Sequence, residues 1–218
     1  MEFFSTPFDN TAVDFLETLN VPCYKVASYE ATDIPLLKRV ARTGKPVIMS
    51  VGFATLPEIE LSVQTLRQYG AKDIILLHCT TSYDEHENAV HTDLRTILDL
   101  SKRFGVLSGF SDNMGGIEVP ILAAAIGAVV IEKHFVIKHD TTVLDDIFSL
   151  DKDEFKKMVE KIRWQEKVMG QVGYDCRTKA EEDNRRYRRS IFVVADIKKG
   201  ELFTEKNIRV IRPADGLE

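Results

Sequence analysis

The stretch 46-PVIMSVGFATLPEIELSVQTLRQYGAKDIILLHCT-80 decides the architecture. Its two ends, "PVIMSVG" (46–52) and "DIILLHCT" (73–80), are apolar at nearly every position instead of at every second one. A strand so composed is buried on both faces, which is the condition of a parallel sheet covered by helices. Between the two runs, Ile59, Val63 and Leu66 recur at i, i+4 and i+7, and Thr55 with Glu58 forms a capping box with Pro57 in the first turn. Strand, helix, strand in that order is a βαβ unit.

The pattern continues on both sides. "FFST" (3–6), "PCYKVAS" (22–28), "GVLSGFS" (105–111) and "AVVIEKHF" (128–135) bring the apolar runs to six, and a helix after Asp151 carries Phe155, Met158, Val159 and Ile162 on one face. Six successive βα units suit either a doubly wound open sheet or a (β/α)8 barrel. No GxGxxG or GxxxxGK[ST] stands at any βα turn, so the nucleotide-binding open sheet is set aside and the TIM barrel is the expected α/β fold. We assign residues 1–172 to a partial barrel and 173–188, "GYDCRTKAEEDNRRYR", to a charged linker. Residues 189–218, with a turn at Lys199-Gly200, read as a short β-rich piece too small to hold a core alone.

The chain has 218 residues, a net charge of −5, and no dense basic block apart from "NRRYRR", which argues against nucleic acid or a membrane surface as partner. Three cysteines without CxxC spacing suggest neither a disulfide framework nor a zinc site, and fit a reducing cytoplasm. No signal peptide or long apolar span is evident.

In a parallel barrel the site lies at the C-terminal ends of the strands. There the sequence puts Thr6 after the first run, Lys25, Ser28 and Glu30 after the second, and Ser50 after the third. His78, Thr80, Thr81 and Tyr83 follow the fourth, Ser111, Asp112 and Asn113 of "GFSDN" the fifth, and Lys133 and His134 the sixth. Taken singly, Ser, Thr, Asp and Asn at such places cap helices or form turns. Recurrence on one rim favours a site for an oxyanion, a sugar or a metal. Lys25 is a charge inside an apolar run, so it either snorkels, holds an anion or forms a Schiff base. His86, His91 and His139 fall in polar loops and receive no role.

The blocks "EFFSTPFD", "YKVASYE", "GKPVIMSVG", "LLHCTTSY", "GFSDN", "GAVVIEKHF", "DDIFSLDKDEF" and "VVADIKKGELFT…RPADG" occur in order over essentially the whole chain. Together they resemble the bacterial sialic acid synthase family, the phosphoenolpyruvate-dependent nonulosonate synthases. The resemblance implies a (β/α)8 barrel followed by a small antifreeze-like (SAF) domain that is exchanged over the partner's site in a homodimer. It further implies that two βα units precede the first run in the family, and that the present chain by itself is weakly stable or inactive. Lys25, Ser28, Ser50 and Ser111 match positions that hold phosphoenolpyruvate, with Thr6 beside them. Glu30, Thr81, Tyr83 and Asp145 match positions near an N-acylated amino sugar, with Glu30 the candidate for proton transfer. His134 matches a histidine that binds a divalent metal, manganese before magnesium or cobalt, and Arg212 matches an arginine sent to the N-acyl group from the partner. Asn113 stands where the family has its second metal histidine, and an amide oxygen is the weaker transition-metal ligand. Thr81 and Val143-Leu144 depart in the direction of the pseudaminic acid branch. The implied product is a nine-carbon 2-keto acid, with phosphate released; a Schiff-base aldolase using Lys25 and a non-catalytic sugar-binding homologue are the alternatives.

Overall fold

The computed structural model of the chain describes residues 2–84 and 89–217. His86 lies outside them. The chain forms two compact units, 1–170 and 171–218.

The first unit is α/β, of TIM-barrel type. It runs α1 (Asn10–Thr18), β1 (Tyr24–Val26), α2 (Ile34–Ala41), β2 (Val47–Ser50), α3 (Leu56–Gln68) and β3 (Ile74–Asp84), then α4 (Thr96–Phe104), β4 (Leu107–Met114), α5 (Glu118–Ala125), β5 (Ile131–Lys133) and α6 (Lys152–Met169). The five strands lie in sequence order and every neighbouring pair is parallel. Strand composition explains this: Val47, Met49, Leu76 and Leu77 are all buried, as strands covered on both faces must be. Leu36, Leu37 and Val40 of α2 and Ile59, Val63 and Leu66 of α3 pack on that sheet in one apolar cluster. α3 begins at the capping box Thr55–Glu58, and α6 at a second one, Asp151–Glu154. Among the described residues no helix is long and apolar enough to cross a membrane.

One expected strand is absent. The run 3–6 makes no strand, and its recorded link to β1 is Lys25 N–H to Ser5 O at 3.3 Å. Phe3 and Phe4 are exposed, so the segment has no apolar face to bury and no ladder to hold it. Six runs therefore become five paired strands.

Gly109 starts the segment that ends β4. A Cβ there would lie 2.3 Å from Val130 O and 2.8 Å from Leu77 Cδ2, so only glycine permits the approach of β4 to the chain entering β5.

In the second unit, α7 (Lys179–Asn184) and a 3-10 turn over Arg185–Tyr187 occupy the segment read as linker. Thr178 caps α7 with Glu181 completing the box, which explains why so polar a segment is helical. β6 (Ser190–Val193) and β7 (Ile208–Ile211) then pair antiparallel.

Candidate active site

Parallel order brings the C-terminal ends of β1 to β5 to one rim, and there a cavity of ≈ 360 Å³ opens. Lys25, Ser28, Ser50 and Ser111 line it, as do Thr6, Thr81 and Tyr83 and, on the β4–β5 side, Asn113 and His134. Of the residues singled out in the sequence, Glu30, His78, Thr80, Asp112, Asp145 and Arg212 are not among its lining residues, whereas Lys133 is. Glu30 sits in a 3-10 turn over Ser28–Glu30, its Oε2 buried without a partner, and burial holds its carboxyl above the ordinary range. Asp145 has its Oδ2 3.6 Å from His134 Nδ1. Arg212 belongs to the second unit.

The cavity floor is a connected polar network. Lys25, 6% exposed, donates to Ser50 Oγ at 2.9 Å and to Val26 O at 3.2 Å, and its Nζ is 3.3 Å from Glu132 Oε2. Ser111 Oγ donates to Glu132 Oε1 at 2.6 Å. Glu132 therefore joins two groups that can hold an anion, and it lines the cavity itself. The sequence pattern gives no sign of this role. The register reveals it by setting Ser111 opposite Glu132. Ser28 Oγ accepts from the Gly52 N–H at 3.0 Å, and its hydroxyl also interacts with the Cys79 thiol.

Asp112 and Lys133 form the next level of the same strand pair. Their Oδ2–Nζ distance is 2.8 Å with side chains 0% and 1% exposed, and Asp112 Oδ1 accepts from Met114 N–H at 3.0 Å. Lys133 Nζ also donates to Met114 O. The capping reading of Asp112 thus survives as one bond, beside an ion pair that the one-dimensional pattern did not show.

Asn113 donates through Nδ2 to Cys79 Sγ at 3.3 Å and to Thr80 O at 3.4 Å. Burial pushes the Cys79 thiol up. His134 stacks edge-on against Phe148, with ring centroids 4.9 Å apart, and Tyr83 meets that Phe148 ring at 5.4 Å. Tyr83 holds a left-handed backbone, φ 52, where the β3–β4 register shifts between Thr80 and Asp84. Such a conformation is uncommon for an aromatic residue and turns its side chain to the cavity side. Burial pushes the Tyr83 phenol up to about 12.

His78 is not part of the cavity lining. Its Nε2 meets Thr92 O, it packs on Phe110, and burial lowers its pKa, which marks it as a satisfied interior histidine. His139, Asp151 and Glu154 bring ligand atoms within 4.8 Å of one another. Both His139 nitrogens are already engaged, Nδ1 with Asp146 and Nε2 with Glu154, each at 3.0 Å, so this cluster ties the loop to the start of α6.

For a divalent cation, the cavity supplies a usable pair of donors. Asn113 commits its nitrogen to Cys79 and Thr80, which leaves a hard carbonyl oxygen, and His134 adds imidazole nitrogen on the same cavity.

Comparison with known proteins finds relatives over almost the whole chain. A pseudaminic acid synthase of Helicobacter pylori is 41% identical over 215 residues, 98% of this chain and 62% of that protein. An N,N'-diacetyllegionaminic acid synthase of Campylobacter jejuni is 40% identical over 218 residues, 99% of this chain and 64% of that protein. The chain thus spans somewhat under two thirds of the length of these relatives. Among solved structures, an N-acetylneuraminic acid (sialic acid) synthetase of Leptospira borgpetersenii in complex with citrate superposes with a TM-score of 0.76 at 33% identity, covering 84% of this chain and 63% of that one. The sequence profile of the NeuB family matches residues 1–174, and the chain belongs to that family.

Proposed function

We propose that the chain carries the phosphoenolpyruvate site of a nonulosonic acid synthase, which joins phosphoenolpyruvate to an N-acylated hexose and releases phosphate. One observation carries the reading: Lys25 and Ser28 from the end of β1, Ser50 from β2 and Ser111 from β4 converge on one cavity that also holds His134 and Asn113. One cation with several hydroxyl donors is what a ligand bearing phosphate and carboxylate requires. Relatives named as pseudaminic and legionaminic acid synthases support the same class.

In the proposed reaction C3 of phosphoenolpyruvate forms a bond to the aldehyde carbon of the open-chain sugar. Water adds at C2, the C2–O bond to phosphate breaks, and a 2-keto acid remains. Lys25 and the serines hold the anion so that charge developing at C2 meets fixed dipoles. Glu30, whose burial raises its pKa above the ordinary carboxylate value, is the candidate for moving a proton. His134 and Asn113 would hold a divalent cation, manganese first, and that cation supplies Lewis-acid polarisation of the aldehyde. Arg212, carried by a second copy in an exchanged homodimer, would meet the N-acyl group.

The Schiff-base alternative is disfavoured by Lys25 itself, whose Nζ is engaged with Ser50, Val26 O and Glu132. Borohydride with pyruvate should leave it unmodified. The deciding experiment is phosphate release from phosphoenolpyruvate with manganese, against N-acetylmannosamine and 2,4-diacetamido-hexoses. Release with one sugar establishes the synthase and selects its branch. Phosphoenolpyruvate binding without release from any sugar would instead favour a binding homologue.

A further inference from the structure

The basic run "NRRYRR", set aside in the sequence, has a structural setting of its own. Within the second unit a cavity of ≈ 670 Å³ is lined by Arg185, Arg186, Arg188 and Arg189 on one side and by Ala214, Asp215 and Gly216 on the other. Arg212 is not among its lining residues, so the cavity is separate from the role assigned to that arginine.

The two walls are pinned together through a buried serine. Ser190 Oγ donates to Pro213 O at 2.7 Å and accepts from Gly216 N–H at 2.9 Å. Ala214 N–H donates to Arg186 O at 3.1 Å, and Ile191 and Leu217 exchange both backbone bonds at 2.9 Å. A Cβ at Gly216 would lie 2.4 Å from Ile191 O, so the loop lies as close as backbone can. The arginines therefore project from a fixed frame.

Their charge is not balanced by the protein. Four guanidinium groups face one lining carboxylate, Asp215, and among the described residues none of the four belongs to an ion pair. Arg186 has its own neighbour, lying over the Tyr187 ring at 4.8 Å and donating to its hydroxyl at 2.8 Å. Arg185, Arg188 and Arg189 have no side-chain hydrogen-bond partner among the described residues. Like charges gathered on one concave face repel, and a bound anion relieves that repulsion through charge-assisted, often bidentate, hydrogen bonds. The size of the cavity falls within the roughly 300–1,000 Å³ typical of small-molecule sites.

We infer that this arginine-lined cavity is a second anion site, taking a compact small molecule with at least two phosphate or carboxylate charges. It does not depend on the phosphoenolpyruvate reading, because the two cavities share no residue. The test is calorimetric titration of the 218-residue chain with pyrophosphate, and in parallel with citrate, at physiological ionic strength. Saturable binding is expected. Arg188→Gln/Arg189→Gln should weaken it by about tenfold or more, as loss of charge-assisted bonds does, while Asp215→Asn tightens it several-fold. Lys198→Gln/Lys199→Gln removes the same charge from an exposed turn of the same unit, outside the cavity lining, and should leave it unchanged. All these side chains are exposed, so the variants fold, and circular dichroism checks that. Equal loss in the lysine variant, binding that never saturates, or affinity that grows with the length of a single-stranded oligonucleotide would overturn the inference in favour of a solvated basic face.

Discussion

β5 carries two neighbouring charges, Glu132 and Lys133, and each pairs with an opposite charge, yet the two pairs behave as different devices. Lys133 and Asp112 are the more deeply buried pair, with side chains 1% and 0% exposed, although Lys133 also borders the cavity. Lys25 and Glu132 open on the cavity, with Glu132 at 42%. A pair so deeply buried has little water as an alternative partner, so it locks the ends of β4 and β5 in place. An open pair has water as an alternative partner, so the carboxylate can be exchanged for the anion of a ligand. One strand thus sets a fixed level beside an exchangeable one.

The largest expected effect falls on the more deeply buried pair. Lys133→Met leaves the Asp112 carboxylate buried without its cation and should cost about 3–5 kcal/mol in urea unfolding, whereas the double change Asp112→Leu/Lys133→Met should recover most of it. Recovery of nothing would show that the pair is not the lock. Next, Gly109→Ala forces β4 away from Val130 and should cost about 1–3 kcal/mol by the same measurement, as overpacking does. At the open pair, Lys25→Met should weaken phosphoenolpyruvate binding by roughly 10- to 100-fold with little change in unfolding, since bonds to a charged group are worth about 1.5–3 kcal/mol. An unfolding loss as large as that of Lys133→Met would erase the distinction between the two pairs. Asn113→His should raise manganese affinity by about tenfold, read by electron paramagnetic resonance titration, because imidazole replaces an amide.

The smallest effect lies outside both pairs. Glu154 first and Asp146 second hold the His139 pKa above its ordinary 6.5. A raised folded value means that its stabilisation is complete below pH about 6.5 and is lost as pH rises through the folded pKa. His139→Gln should flatten that part of the pH–stability curve, measured by thermal unfolding, and leave ligand binding unchanged.

How much of this could be read in one dimension differs by element. The parallel order was legible because burial on both faces leaves a mark in composition, as in "PVIMSVG" and "DIILLHCT". The caps at Thr55 and Asp151 were legible because a cap is local, closed within three residues. The first run misled because "FFST" is apolar enough to be a strand, but Phe3 and Phe4 stay exposed, at 64% and 39%. His78 and His134 both follow apolar runs, and only the fold sends one to Thr92 O and the other to the cavity.

The sequence by itself determined the α/β class, the order of the parallel strands, and the rim on which Lys25, Ser50, Ser111, Asn113 and His134 meet. These follow from periodicity and strand ends, which are properties of neighbours along the chain. Tertiary structure alone decided that Glu132 joins Lys25 to Ser111, that Lys133 is spent on Asp112, and that four arginines line one cavity. Those facts depend on register and on which direction each side chain leaves its strand or turn, and a contact between distant residues leaves no periodic trace in a single sequence.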